Sequence, residues 1–250
     1  MSDVSYDFRR RCGGSSLFDW IGTVANATSE WDGDDLPDGI VSPSWFDRSA
    51  APRRLDSYGN PVRALGVNGR GKVRFNGLSQ RFDSVGFGPL NLIGGAHTSS
   101  FMVVVVADLL GVSASNTGTW ADTGLWADSS FRLGQGYRRR TTSPDMYTTD
   151  GWIYDGAFRN SPADFGAVLG SVRVYHMRKN GTSLYAGVNG VWSSATPVAA
   201  AIAATIGSIF RLGSRTDGSG FANADIYKVC SKSNGTDEAA AIAAFVAEYS

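Results

Sequence analysis

From about residue 70 the chain alternates short apolar-rich runs with breaks containing Gly, Asn or Ser. The runs are Lys72–Asn76, Gln80–Val85, Ser100–Asp108, Phe131–Tyr137, Gly151–Asp155 and Ala167–Arg178. Short runs at near-regular spacing predict the strands of a sandwich or barrel. Phe101–Val106 (FMVVVV) is apolar at every position. It lacks the alternation of a half-solvated strand and predicts a central strand covered on both faces. Within Leu184–Val191, the Asn189-Gly190 pair tolerates the positive φ angles of a tight hairpin turn. One amphipathic helix is predicted at the end of the chain. Ile242, Phe245, Val246 and Tyr249 repeat at helical spacing, behind Thr236 as a cap and Asp237 and Glu238 at the positive end of the dipole. That stripe should lie on the sandwich. Val198–Ile206, Ala-rich between Pro197 and Gly207, fits a loop as well as one or two helical turns.

Before residue 70 the pattern is less regular. Residues 1–16 (MSDVSYDFRRRCGGSS) are polar, carry Arg9, Arg10 and Arg11, and end in Gly-Gly-Ser-Ser, which predicts a flexible arm able to order against a partner. Leu17–Pro43 mixes Trp20, Trp31 and the acidic run Asp32–Asp35 without periodicity, as in a leading segment packed by its aromatics. There is no internal repeat. Residues 17–250 are expected to form one domain, since all-β sandwiches commonly reach this length as a single unit.

Composition supports the strand reading and removes several functions. Of 250 residues 42% are hydrophobic and 31 are glycine, enough for a core and for many turns. Glu30, Glu238 and Glu248 are the only glutamates, and the other acids are the turn-favouring aspartates, so little helix is expected. Lys+Arg and Asp+Glu are both 23. No excess positive charge would gather a phosphate backbone or an anionic membrane. The N-terminus has no apolar run of signal-peptide length, and no apolar stretch approaches the roughly 20 residues that span a bilayer. Cys12 and Cys230, at opposite ends, match no metal-site spacing and are expected as reduced thiols.

Four landmarks in order resemble the laminin-G-like branch of the concanavalin A-like lectin/glucanase superfamily, frequent in bacterial surface proteins and phage virion proteins. They are Trp45-Phe46-Asp47-Arg48-Ser49, the Arg70–Gly77 segment (RGKVRFNG), the apolar strand Phe101–Val106 and the hairpin Tyr185–Val191. Phe210–Gly213, then Phe221–Val229 (FANADIYKV), and the terminal helix follow as in that family. The resemblance covers residues 17–250 and implies an all-β, concanavalin A-like jelly-roll sandwich with a short C-terminal helix. One departure is Lys228, where the family carries an acid before the last valine.

The glucanases of that superfamily need closely spaced acids on one strand, with acid and nucleophile about 5 Å apart. No glutamate occurs between Glu30 and Glu238, and Asp122 and Asp128 are a poor substitute. A polysaccharide lyase would use a Tyr/His pair with Arg. Tyr175-His176 with Arg178 has the residue types, but neighbours on one strand point to opposite faces. Gly-x-Ser-x-Gly is absent, and Gly134-Gln135-Gly136 lacks the setting of a phosphate loop. Trp31–Asp35 offers calcium-type oxygens without EF-hand spacing, and a solvated acidic turn is the simpler expectation; no cofactor is expected.

What remains is binding. Trp120, Trp126, Tyr137 and Trp152, with Tyr147 and Trp192, fall in a Gly- and Ser-rich stretch near Asp, Asn and Arg, the groups that sugar faces and hydroxyls require. Aromatics in strands also serve as core. The expectation is a non-catalytic virion-surface protein of a phage, homo-oligomeric, with Arg9–Arg11 meeting neighbouring virion proteins and the aromatics touching a host glycan. A carbohydrate-binding module of a bacterial surface protein is the alternative.

Overall fold

The computed structural model describes residues 29–40, 44–48, 52–93, 95, 100–111, 122–130, 132–140, 143–163, 169–202, 206–215, 220–233 and 239–250. The arm, with Arg9–Arg11 and Cys12, lies outside the described residues, as do Trp20, Trp120 and the helix cap Thr236.

Two antiparallel sheets face each other. In sheet A the strand order is β15 (Val191–Trp192), β14 (Ser183–Val188), β13 (Val172–Asn180), β8 (Ser100–Gly111), β18 (Asn223–Lys232), β6 (Gly71–Asn76), β5 (Val62–Leu65) and β2 (Gly39–Ile40). Two further strands join it, β1 (Ser29–Asp32) on β18 and β16 (Thr196–Pro197) on β14. Sheet B runs β12 (Phe158–Ala163), β11 (Ser143–Tyr154), β10 (Leu133–Arg140), β9 (Asp122–Asp128), β17 (Phe210–Leu212), β7 (Arg81–Ser84), β4 (Arg54–Tyr58) and β3 (Ser44–Phe46). This is the expected β-sandwich, and β8 is the central, doubly covered strand that its apolar run requires. The hairpin turn is where Asn189-Gly190 places it, with φ values of 50° and 85°. The segment Val198–Ile206 adds no helix among its described residues; Val198, Ile202 and Ile206 are buried in the core.

Period-2 alternation sorts side chains onto the two faces of each sheet. Val103, Val105, Tyr175, Val229, Phe75, Leu125, Leu133 and Ile153 point between the sheets. Trp31, Phe210 and Trp126 stack there, Phe210 lying 5.8 Å from Trp31 and 5.9 Å from Trp126 between centroids. Ser29–Asp32, expected to be irregular, is a strand, and its pairing with β18 is what carries Trp31 into the core.

A short helix, α1 (Pro89–Ile93), buries Leu92 and Ile93 in the core, and the outer face of sheet A is covered by a second helix, α2 (Ala239–Glu248). Ile242, Phe245 and Tyr249 bury a second apolar cluster made of Met102, Val104, Val106, Val174, Tyr227 and Cys230. Beside it lies a buried ion network. Lys228 Nζ is 2.9 Å from Asp32 and 3.1 Å from Glu30, and Arg48 bonds Glu30, Asp32 and Asp35. Burial alone would raise the Asp32 pKa, but the charges of Lys228 and Arg48 outweigh it and hold it below the ordinary value. Burial pushes the Cys230 thiol well up, with Glu30 adding to the shift. Lys228, opposite Asp32 in the β1–β18 register, thus neutralises the acids that β1 brings beside it.

Candidate functional site

The face of sheet B that points away from the core is the one broad sheet surface with no described helix across it. Cross-strand register aligns its side chains in rows. One row runs Asn160, Trp152, Gly134, Ala127, Arg211, Asp83, Asp56 and Ser44, from β12 to β3. Two residues further along each strand, at the rim, stand Phe158, Tyr154 and Arg132 on one side, and Val85, Arg54 and Phe46 on the other. The rim is aligned by the Phe158–Tyr154 and Phe46–Arg54 pairs and by the bonds of Tyr154 N–H to Arg132 O (2.7 Å) and Val85 N–H to Arg54 O (3.0 Å).

The middle of the first row, from Trp152 to Asp83, is buried, and the charges of the row are paired with one another. Asp83 accepts from Arg81 (3.0 Å) and Arg211 (3.2 Å), and Asp56 meets Arg54 (3.1 Å) and Ser44 Oγ (2.8 Å). Asp56 and Asp83 are direct cross-strand partners, which sets their Cβ atoms roughly 5 Å apart, a spacing that invites comparison with a glycosidase pair. Three guanidinium groups hold them, Arg54 on Asp56 and Arg81 and Arg211 together on Asp83 Oδ1, so both carboxylates stand in ion pairs. A second such pair, Asp108 opposite Asp225, lies on sheet A. Burial and then the Asp225 charge raise the Asp108 pKa, but the Asp225 side chain is 1% exposed and clamped by Lys72 and Arg74, out of a substrate's reach.

The rim carries the exposed apolar groups. Phe158 is 53%, Phe46 52% and Val85 42% exposed. Tyr154 meets Phe158 edge-on at 5.4 Å, and the Arg132 guanidinium lies over the Tyr154 ring at 4.8 Å. Deeper on the same face, Arg81 lies over Tyr58 at 4.4 Å. Arg132 is fixed from behind. The Asp128 carboxylate accepts the backbone N–H groups of Ser130, Arg132, Leu133 and Gly207.

The aromatics expected to stack on a ligand are placed differently. Trp126 and Tyr137 point into the core, where Trp126 Nε1–H reaches Gln135 Oε1 and the Tyr137 hydroxyl bonds Gly111 O and Asn223 N–H. Trp152 is on the outer face but 4% exposed, its indole lying across Gly134, where an added Cβ would come 2.6 Å from Trp152 Cζ2. These three side chains therefore pack rather than present a surface. Sequence reasoning missed Tyr154, Phe158 and Arg132. Tyr154 shares a face with Trp152 by strand alternation, a signal open to it, whereas Arg132 joins only through register.

The Tyr/His pair divides as strand alternation requires: Tyr175 is core, while His176 lies against Trp192 on the outer face of sheet A. Burial, then the Arg178 charge, lowers the His176 pKa to about 3, so the ring is neutral and accepts from Gly190 N–H at 3.0 Å. The acidic run Asp32–Asp35 is turned toward arginine and lysine partners.

No family model matches this sequence, and no curated protein is similar to it. Its likeness is to solved structures. Domain 4 of AbnA, a GH43 extracellular arabinanase from Geobacillus stearothermophilus in complex with arabinotriose, has a TM-score of 0.59 at 12% identity, over 88% of this chain and 98% of that one. The binding domain of botulinum neurotoxin DC in complex with rat synaptotagmin II gives 0.56 at 9% identity, over 87% of this chain and 52% of that one. The binding domain of Paraclostridial Mosquitocidal Protein 1 gives 0.60 at 9%, over 85% and 51%. The chain thus spans nearly all of the arabinanase domain and about half of each toxin structure. At these identities the likeness establishes the fold alone, a sandwich of two antiparallel sheets, and is consistent with the expected concanavalin A-like jelly roll.

Proposed function

We propose that this chain is a non-catalytic, lectin-like domain that binds a glycan across the outer face of sheet B. The observation that carries the reading is the rim: exposed Phe158, Val85 and Phe46 and half-buried Tyr154, interleaved with Arg132 and Arg54. Aromatic faces stack on the C–H faces of sugar rings, and guanidinium forks bond hydroxyl and carboxylate oxygens. That Asp56 and Asp83 are held by arginines supports binding without hydrolysis. The similarity to an arabinanase domain solved with arabinotriose is consistent with this use of the fold.

The biological setting we propose is the surface of a phage virion, which rests on the sequence resemblance to laminin-G-like virion domains. A module of a bacterial surface protein is the second reading, favoured by the near end-to-end match to the arabinanase domain. Capsid and tail genes beside the coding sequence would select the first. The binding reading is tested on a glycan array with the intact chain and the Phe46→Ala/Phe158→Ala double variant. Binding that the double variant loses supports it; an array on which the intact chain binds nothing would sink it.

A further inference from the structure

On the outer face of sheet B the cations are not equivalent. Arg54 is paired with Asp56, and Arg81 and Arg211 share Asp83. At the neighbouring turn Arg159 is paired with Asp155, whose carboxylate also accepts Ala157 and Ala199 N–H. Arg132 has no carboxylate within ion-pair distance among the described residues. Its guanidinium lies on the Tyr154 ring, half-buried, with the exposed Phe158 ring beyond. A cation that stacks on an aromatic ring keeps the edge of its planar fork directed outward, where the fork suits a carboxylate bidentately. The backbone of Arg132 is also pinned by Asp128, so little side-chain and loop freedom is left to lose on binding.

We propose that Arg132, Tyr154 and Phe158 form a subsite for an acidic sugar. The sugar carboxylate sits on the Arg132 fork and its ring lies against Tyr154 and Phe158, while Asn160, exposed two residues along β12 from Phe158, is within the same surface to serve a hydroxyl. The inference rests on the glycan-binding reading and adds to it the charge of the ligand. An aromatic pair flanking one cation that has no carboxylate partner among the described residues fits a ring bearing one carboxylate better than an acidic peptide, whose other charges would find the described arginines of this face, Arg54, Arg81 and Arg211, already paired.

Two kinds of carboxylated sugar share this chemistry, uronates and sialic acids. Calorimetry on the intact chain would therefore use tetragalacturonate, 3′-sialyllactose, the methyl ester of each and a tetraglutamate peptide. The expected result is that one acid binds at least tenfold tighter than its uncharged counterpart, weakening as salt rises, and that the arm that binds identifies the source. Arg132→Gln should remove the tenfold difference while leaving the residual affinity for the uncharged counterpart. Phe158→Ala should weaken the acid and its counterpart together. Equal binding of charged and uncharged forms would overturn the subsite and leave the glycan reading standing. Tetraglutamate binding as tightly as the sugars would overturn both, whereas the absence of binding in every arm would overturn the subsite and leave the glycan reading to the array.

Discussion

The outer faces of the two sheets start from the same alternating backbone and end in opposite conditions. On sheet A, every second residue of β8 is an apolar Met102, Val104 or Val106, and α2 closes over them. Its charges, Glu30, Asp32, Arg48 and Lys228, are buried beside that helix and answer one another. On sheet B the corresponding positions are Arg, Asp and Gly in the middle and aromatic at the rim, with Phe158 and Phe46 left half open. Removing apolar area from water stabilises a fold by about 25 cal/mol per Å², so the rim side chains left half open forgo part of that gain. Face A is closed by its helix, and on face B exposed apolar groups stand at the rim.

That division can be broken most severely at the helix. Deleting residues 239–250 uncovers Ile242, Phe245 and Tyr249 together with the valines beneath, at about 1.5–3 kcal/mol per large side chain. The loss should be on the order of 5 kcal/mol or more in urea denaturation, and an unchanged midpoint would mean that the helix is only appended. Lys228→Met, which leaves Glu30 and Asp32 with Arg48 alone, should cost about 3 kcal/mol, as breaking one partner out of a buried ion network does. A cost below about 1 kcal/mol would place the network in water.

Acid should act through face A as well. His176 has a folded-state pKa near 3, below the ordinary 6.5, so the unfolded chain binds the proton first. Stability from keeping this ring neutral is full above about pH 6.5 and falls as pH drops toward 3, by at most about 1.4 kcal/mol per unit. Asp32, with its depressed pKa, adds a further loss below its ordinary 3.8. His176→Gln should flatten the slope between pH 6 and 4; a variant with the wild-type slope would assign it elsewhere. The smallest stability effects belong to face B. Phe158→Ala and Arg132→Gln should each shift the denaturation midpoint by about 0.5 kcal/mol or less while changing glycan affinity. A large stability loss from either would erase the distinction between the faces.

What could be read without coordinates follows the range of the interactions involved. Phe101–Val106, the Asn189-Gly190 turn and the Ile242–Tyr249 stripe are signals of a few residues, and each is where it was expected. Leu133-Gly134-Gln135-Gly136-Tyr137 also alternates, and taken strictly it would have sent Tyr137 inward with Leu133. Naming Tyr137 and Trp126 as ligand-stacking groups weighed residue type over period. Arg132 and Phe158 carried no local signal, because their neighbourhood is made by three strands in register. Nor did Lys228, whose partners Glu30 and Asp32 lie some two hundred residues earlier in the chain.

The Asp128 carboxylate gathers amides from Ser130, Arg132 and Leu133 close at hand and from Gly207 far downstream. A chain made from its N-terminus has Arg132, Tyr154 and Phe158 in hand long before Gly207 emerges from the ribosome. Until then one oxygen of Asp128 lacks its distant amide, and β9 lacks its neighbour β17. The corner that carries the proposed subsite is thus completed only once residue 207 has been made, and a nascent chain halted before it should display every residue of that subsite without yet having the subsite.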